Sequence, residues 1–275
     1  MKTTVLVLAM LGILFQATAQ NKEMELIQPE KKKFSFYWGY NWSGYTPSTL
    51  QIEGEGYNYT LHHITARDRP SSFDPNVYFN VTRLSIPQFN TRLTYQWKKK
   101  WAVSFGYDHM KYVMDAGQRV PITGRISTEA SSLYAGNYQT GDSIDVTKDF
   151  LRFEHTDGLN YFTFEIDNVD ELFSYKDLLT LQVRNGVGVG FLIPRTDVRI
   201  FDVRGPNIFN FAGYGASLKT EFRLEIKKYL FLQATGKAGI INMPIISTSR
   251  NKADKANQHF GFVEGFWAIG TNFYF

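Results

Sequence analysis

His155, Thr156 and Asp157 form the most chemically pointed stretch of the chain, within Phe153-Glu154-His155-Thr156-Asp157-Gly158-Leu159-Asn160. An imidazole two residues from a carboxylate can act as a general base with its orienting acid, or the two can ligate a metal. On an extended strand, residues i and i+2 share a face, so His155 and Asp157 belong together and Thr156 points to the other side. The remaining histidines are His62, His63, His109 and His259. Imidazole, like Tyr and Trp, also suits a membrane headgroup zone, so spacing alone does not make any of these a site. Cysteine is absent, which excludes disulfides and thiolate chemistry.

The elements that must position these residues read as strands. Phe34, Phe36, Trp38, Tyr40 and Trp42 alternate strictly with Ser35, Tyr37, Gly39 and Asn41. That period of two is a strand signature and not a helical one. The pattern recurs over Gln88–Trp97, Trp101–Val113, Asp149–Ile166, Leu178–Ile193, Phe209–Ile226, Tyr229–Ile241 and His259–Phe275. In the last of these, Trp267, Ile269, Thr271, Phe273 and Phe275 oppose Phe266, Ala268, Gly270, Asn272 and Tyr274. Aromatic residues make up 16% of the chain, which fits the interfacial girdles of a transmembrane β-barrel. The expected fold is therefore all-β: a transmembrane antiparallel up-and-down β-barrel of eight strands with long extracellular hairpins.

Lys2, the apolar run Val5–Phe15 and Ala17-Thr18-Ala19 read as a signal peptide over residues 1–19, with cleavage after Ala19. Residues 20–275 then form the barrel. The short turns, at Lys98–Lys100 and Lys227-Lys228, belong on the periplasmic side, where such barrels keep their turns short. Eight strands place both termini in the periplasm; ten or twelve would put a long loop there. Leu50–Thr65 and Arg119–Ile126 become extra hairpin material above the membrane. Asp167–Lys176 reads as a polar connection and Pro194–Ile208 as a loop. All five histidines then map towards the extracellular side.

The inner face, read by alternation, carries Arg92, Arg184, Lys219, Arg223 and Lys237 against Asp108, Glu165, Glu221, Glu225 and Glu264. An eight-strand barrel is only wide enough for side chains to fill it. Charges so confined must pair, because a lone buried charge is costly. A salt-bridged interior is the expectation, with a proton or ion path as the functional alternative. Gly186, Gly188, Gly190, Gly213 and Gly215 make room for the long Arg and Lys side chains.

Two resemblances follow from these residues. The signal peptide, the alternating strands and the terminal Phe275 resemble the small eight-strand outer-membrane barrels of Gram-negative bacteria. That resemblance implies residence in the bacterial outer membrane, contact with its lipid and lipopolysaccharide, and recognition of the final strand by the barrel-assembly machinery. The stretch around His155 resembles, over about ten residues, the active-site strand of the lipid A 3-O-deacylases. At the spacing where that family has its nucleophilic Ser, this chain has Asp157, and the adjacent hydroxyl is Thr156.

Three functions are open on this reading. The first is a non-catalytic barrel with a structural role, or with Tyr- and Asn-rich loops that bind a partner. The second is an outer-leaflet lipid A acyl-ester hydrolase centred on His155. The third is a narrow transporter of small apolar molecules. A hydrolase requires His155 within reach of a Ser or Thr hydroxyl; a transporter requires a continuous apolar cavity. No cofactor is expected. The formal net charge of +4 is too mild to suggest nucleic acid.

Overall fold

The structure, a computed structural model, describes residues 32–80, 82–83, 86–176, 178–251 and 253–275. The expected signal peptide lies outside them. Sixteen strands follow in chain order: β1 (Lys33–Tyr45), β2 (Ser48–Gly54), β3 (Tyr57–Ile64), β4 (Ala66–Arg67), β5 (Phe89–Lys98), β6 (Trp101–Met114), β7 (Arg119–Ile126), β8 (Gly136–Tyr138), β9 (Ser143–Asp145), β10 (Leu151–Tyr175), β11 (Leu179–Leu192), β12 (Asp197–Ile200), β13 (Val203–Arg204), β14 (Gly213–Ile226), β15 (Leu230–Ser247) and β16 (Lys255–Tyr274).

Eight of them close a ring in the order β1, β5, β6, β10, β11, β14, β15, β16, and the first and last pair antiparallel from Lys33↔Tyr274 to Tyr45↔Phe262. Closure leaves no unpaired edge along the wall, the condition for crossing a bilayer with strands. The other strands build upward from one end. β16 continues past the ring to pair with β2, β2 with β3, and β3 with β7, while β12 pairs with the start of β10. Leu50–Thr65 and Arg119–Ile126 are thus hairpin material beyond the barrel, as expected.

Several boundaries differ from the sequence reading: β14 begins only at Gly213, β15 runs on to Ser247 and β16 begins already at Lys255; two further differences bear on the interior and the cap. β10 does not stop at Ile166 but runs to Tyr175, so Asp167 is an inward-facing strand residue and not part of a polar connection. Pro194–Ile208 contains the β12–β13 hairpin, paired to β10 through Leu151↔Ile200 and Phe153↔Val198.

The wall is apolar outside and charged inside. Phe36, Leu93, Phe105, Phe164, Val189, Leu218, Ile240, Val263 and Ile269 are exposed on the eight ring strands. An apolar surface this continuous has no place in water and marks a lipid-facing barrel. One rim carries stacked aromatics: Trp38 on Phe89 at 4.1 Å, Tyr107 on Phe162 at 4.6 Å, and Phe162 on Phe191 at 5.3 Å. The opposite rim carries Phe34, Tyr95 and Phe275, beside the short turn of Lys99 and Lys100. Each rim forms an aromatic girdle.

Inside, six cations (Lys33, Arg92, Arg184, Lys219, Arg223, Lys237) meet six anions (Asp108, Glu165, Asp167, Glu221, Glu225, Glu264), all buried. Glu165 is the hub. It lies 3.0 Å from Arg92, 2.7 Å from Lys219 and 2.9 Å from Lys237. Asp108 binds Arg92 at 2.7 Å and Lys237 at 2.6 Å, and Asp167 holds Lys219 at 3.1 Å. Nearer the turns, Arg223 pairs with Glu221 at 2.8 Å and Lys33 pairs with Glu225. Two glycines make the hub possible. A Cβ at Gly106 would overlap the Arg92 guanidinium, and one at Gly186 would strike Asp167.

Above the lattice the interior changes character. Tyr161 marks the boundary: Lys237 Nζ sits 5.1 Å from its ring centroid on one side, and Phe262 packs edge-on at 6.0 Å on the other. Beyond it lies a hydrocarbon core of Leu50, Ile52, Tyr59, Leu61, Met110, Tyr112, Phe150, Phe153, Leu192, Phe260 and neighbours. The barrel is stoppered by this cap.

Arg92→Met removes a cation from two buried carboxylates while keeping the side chain's bulk. It is expected to lower stability by about 3–5 kcal/mol, read as an earlier urea midpoint of the folded, faster-migrating band on unheated gels. An unchanged midpoint would mean that the ions are not mutually dependent.

Candidate functional site

The backbone explains where His155 goes. Between His155↔Tyr112 and Leu159↔Met110, β10 advances four residues while β6 advances two. The surplus is expelled as a bulge around Gly158, which takes φ of 128°, a value that favours glycine. His155 therefore turns into the cap, whereas Asp157 is exposed on the outer surface and Thr156 is half-buried. The i, i+2 relation expected for His155 and Asp157 does not survive the bulge. Asp157 accepts from Asn207 Nδ2 at 3.1 Å and faces Arg195 at 3.5 Å instead.

His155 does have a hydroxyl partner, one that strand spacing did not point to. Its Nδ1 is 3.0 Å from Oγ1 of Thr196, which precedes β12. Both residues are sealed, at 0% and 1% exposure. Phe153 packs edge-on to the imidazole at 5.1 Å and Tyr112 lies at 5.7 Å. Burial pushes the His155 pKa down to about 4, so the ring is neutral at physiological pH. A neutral imidazole beside a hydroxyl has the parts of a base and nucleophile. The pair is sealed in the cap beside Phe153, Tyr112 and the buried Gln258, which donates to Tyr112 Oη at 2.8 Å.

The other histidines are dispersed. His62 Nε2 is 3.1 Å from Thr123 Oγ1 in the extension. His109, on the outer wall, sets Nδ1 2.8 Å from Asn160 Oδ1, which also accepts from Tyr107 Oη at 2.8 Å. Asn160 Nδ2 donates to the Ile193 carbonyl at 3.0 Å, completing a polar clasp just above the aromatic rim. His63 and His259 are separate from both. Among the described residues no three His, Asp or Glu side chains gather as a metal site would require.

All ten charges expected inside are buried within the barrel: Arg92, Asp108, Glu165, Arg184, Lys219, Glu221, Arg223, Glu225, Lys237 and Glu264. Lys33, the last of the lysine run ahead of the first strand, and Asp167, which reads as part of a polar connection, join them. Asp167 is two positions past Glu165, so extending the strand's alternation by one step finds it. Glu264 differs from the rest. It faces Lys237 across β15 and β16, yet Lys237 turns to Asp108 and Glu165, and Glu264 accepts from Asn90 Nδ2 at 2.9 Å.

The tip of the extension holds a cleft of about 510 Å³, with Tyr57, Phe201, Arg204, Arg250, Glu55 and Asp254 among its lining residues. Arg204 is held by Asp197 through paired contacts at 3.2 and 3.0 Å. Phe201 and Asp202, at the turn of the β12–β13 hairpin, take φ of 49° and 64°. A bulky side chain in that region is strained, and such strain gathers at functional surfaces.

No family model and no curated protein matches the chain. Similar solved structures include outer membrane protein OprG of Pseudomonas aeruginosa, at 10% identity and TM-score 0.38, covering 88% of this chain and 96% of that one. The outer membrane protease OmpT of Escherichia coli matches at 6% identity and TM-score 0.35, covering 92% and 99%. The attachment invasion locus protein Ail of Yersinia pestis, in complex with the heparin analogue sucrose octasulfate, matches at 10% identity and TM-score 0.31, covering 88% and 99%. Nothing of their chemistry transfers at such scores. The chain has the architecture of an outer-membrane β-barrel on its own geometry.

The buried imidazole makes the cap sensitive to acid. Below pH 6.5 the unfolded chain takes up a proton that the folded cap refuses. Stability therefore falls as pH drops from about 6.5 towards about 4 and levels off below, by up to roughly 3 kcal/mol. Amide exchange in β3 and β12 is expected to accelerate over that window in the parent and far less in His155→Leu; parallel pH profiles would contradict the buried placement.

Proposed function

We propose that this chain is a non-catalytic barrel of the bacterial outer membrane that presents a capped, partner-binding end at the cell surface. The observation that carries the reading is the double closure of its interior. An ion lattice fills the membrane level and hydrocarbon stoppers the level above. A transporter needs a continuous apolar cavity, but the cap's hydrocarbon gives way to charge at Tyr161, and the second apolar cluster of Tyr37, Phe231, Phe266 and Ala268 sits apart from it among the ions, with Arg223 over the Phe231 ring. A hydrolase needs an accessible nucleophile, but His155 and Thr196 are enclosed.

The orientation follows from loop lengths. The end with the Lys99-Lys100 and Lys227-Lys228 turns, together with both ends of the barrel chain, is assigned to the periplasm. The extension and its cleft then face outward, among lipopolysaccharide. The cleft offers aromatic surface from Tyr57 and Phe201 with both signs of charge at its margin, a combination suited to a polar partner at the surface. The final strand, β16, with Phe275 directly after it, is the segment through which the barrel-assembly machinery would engage the chain.

Reconstitution into planar bilayers tests the closure. No ion conductance above the lipid baseline is expected, and discrete channel openings would overturn the reading. The hydrolase alternative is addressed by lipid A mass spectrometry on cells with and without the protein. An unchanged acylation pattern is expected, both for the parent and for His155→Ala; a lost acyl group that returns in the variant would make His155 catalytic after all.

A further inference from the structure

We propose that the segment Ser71–Asn80, between β4 and β5, is a lipid-seated flap: its aromatics enter the acyl zone, and Arg69 and Lys111 at its base bind the phosphate of an anionic lipid. By alternation Tyr40 belongs to the lipid-facing row of β1, yet it is only 8% exposed. The flap covers it. Tyr40 Oη donates to the Tyr78 carbonyl at 2.6 Å, and the two rings lie 4.7 Å apart. Tyr78 belongs to a single helical turn, Pro75–Tyr78, capped by Asp74 through the Asn76 amide at 2.9 Å.

The flap is anchored to the barrel and not loose. Tyr78 Oη donates to the Ser71 carbonyl at 2.8 Å, and Lys111 Nζ reaches Ser71 Oγ and the Ile86 carbonyl, both at 3.3 Å. At its base, Asp68 accepts from the Ser43 amide at 2.8 Å and from Gln88 Nε2 at 3.0 Å.

A segment pinned this well still turns its largest apolar groups outward. Phe73 is 68% exposed and Phe79 is 72% exposed. They continue the wall's aromatic surface without a break: Trp267 to Tyr40 at 6.1 Å, Tyr78 to Phe73 at 5.1 Å, and Phe73 to Phe79 at 6.2 Å. Trp267 lies on the lipid-facing row of β16. The occupant of the flap's outer side is therefore the one that already covers that row, the bilayer. Exposed Phe side chains next to Arg69 and Lys111, with the Asp68 carboxylate taken up by Ser43 and Gln88, match an interfacial element, where rings sit below the headgroups and Lys or Arg meets phosphate. Arg69 keeps most of its side chain in the open, with Glu154 no nearer than 3.6 Å.

The chain has no cysteine, so a single introduced thiol can carry a nitroxide label. Phe79→Cys is compared with Val189→Cys on the barrel wall and Leu133→Cys on the extension, all in nanodiscs. Collisions with oxygen and with a water-soluble nickel chelate are read by electron paramagnetic resonance. The label at 79 is expected to behave as that at 189, oxygen-accessible and nickel-protected. Behaviour like that at 133 would overturn the proposal, while a water-exposed label at 189 would instead overturn the membrane-spanning reading itself. The phosphate contact is tested by adding Arg69→Gln and Lys111→Gln to the Phe79→Cys chain. Nickel protection should fall several-fold in phosphatidylglycerol nanodiscs and much less in phosphatidylcholine. An equal fall in both would make Lys111 a tether only and refute the anionic-lipid contact, as would no change in either.

Discussion

Charge taken out of water must be neutralised where it sits, and this barrel depends on that constraint. Eight strands enclose a space that side chains alone can fill, and the chain commits six cations and six anions to it. Buried pairs seldom add much stability over a hydrophobic filling, but leaving one partner without the other is severe. The lattice around Glu165 draws its members from five strands: Arg92 from β5, Asp108 from β6, Asp167 and Glu165 from β10, Lys219 from β14 and Lys237 from β15. Any slip of register would orphan several charges together. The ions thus specify which strand pairs with which, and the apolar exterior, which lipid accepts in many arrangements, does not have to.

The same alternation serves two solvents in succession along each strand. On β6, Trp101, Val103, Phe105 and Tyr107 face lipid while Ala102, Ser104, Gly106 and Asp108 face the ions. Past the aromatic rim, Met110, Tyr112 and Met114 occupy the inner positions of the same strand and join the cap core, with Lys111 outside. β16 repeats the inversion, from outward Val263 and Trp267 to inward Phe260 and Phe262. The membrane level is greasy outside and ionic inside; the level above is polar outside and greasy inside, as a water-soluble sheet would be. This exchange explains why the strands extend so far beyond the ring.

Much of this was legible in the sequence. Period-two alternation gave the eight ring strands, and the confinement of charge inside them followed from barrel width. What was not legible was non-local. Lys33 stands in a run of lysines that reads as a flank, and only ring closure against β16 brings it to Glu225. Asp167 follows Ile166 at a point where the strand loses its apolar face, because its outward positions, Asn168 and Asp170, are polar near the rim. The inversion of phase at Met110 and Phe260 was a readable signal for the cap, but it looks like ordinary alternation until the rim is located. At His155 the reading failed for a local reason: strand spacing predicts that His155 and Asp157 share a face, and the bulge at Gly158 separates them. Thr196, the actual partner, lies just ahead of the β12–β13 hairpin, in a stretch that reads as loop.

Interdependence of the ions is measured by a double-mutant cycle. Glu165→Gln, Lys237→Met and the double variant are unfolded in the same detergent and compared with the parent. The double variant is expected to lose clearly less stability than the two single losses together, a coupling of about 1 kcal/mol or more. Losses that simply add would show that the interior charges do not hold one another.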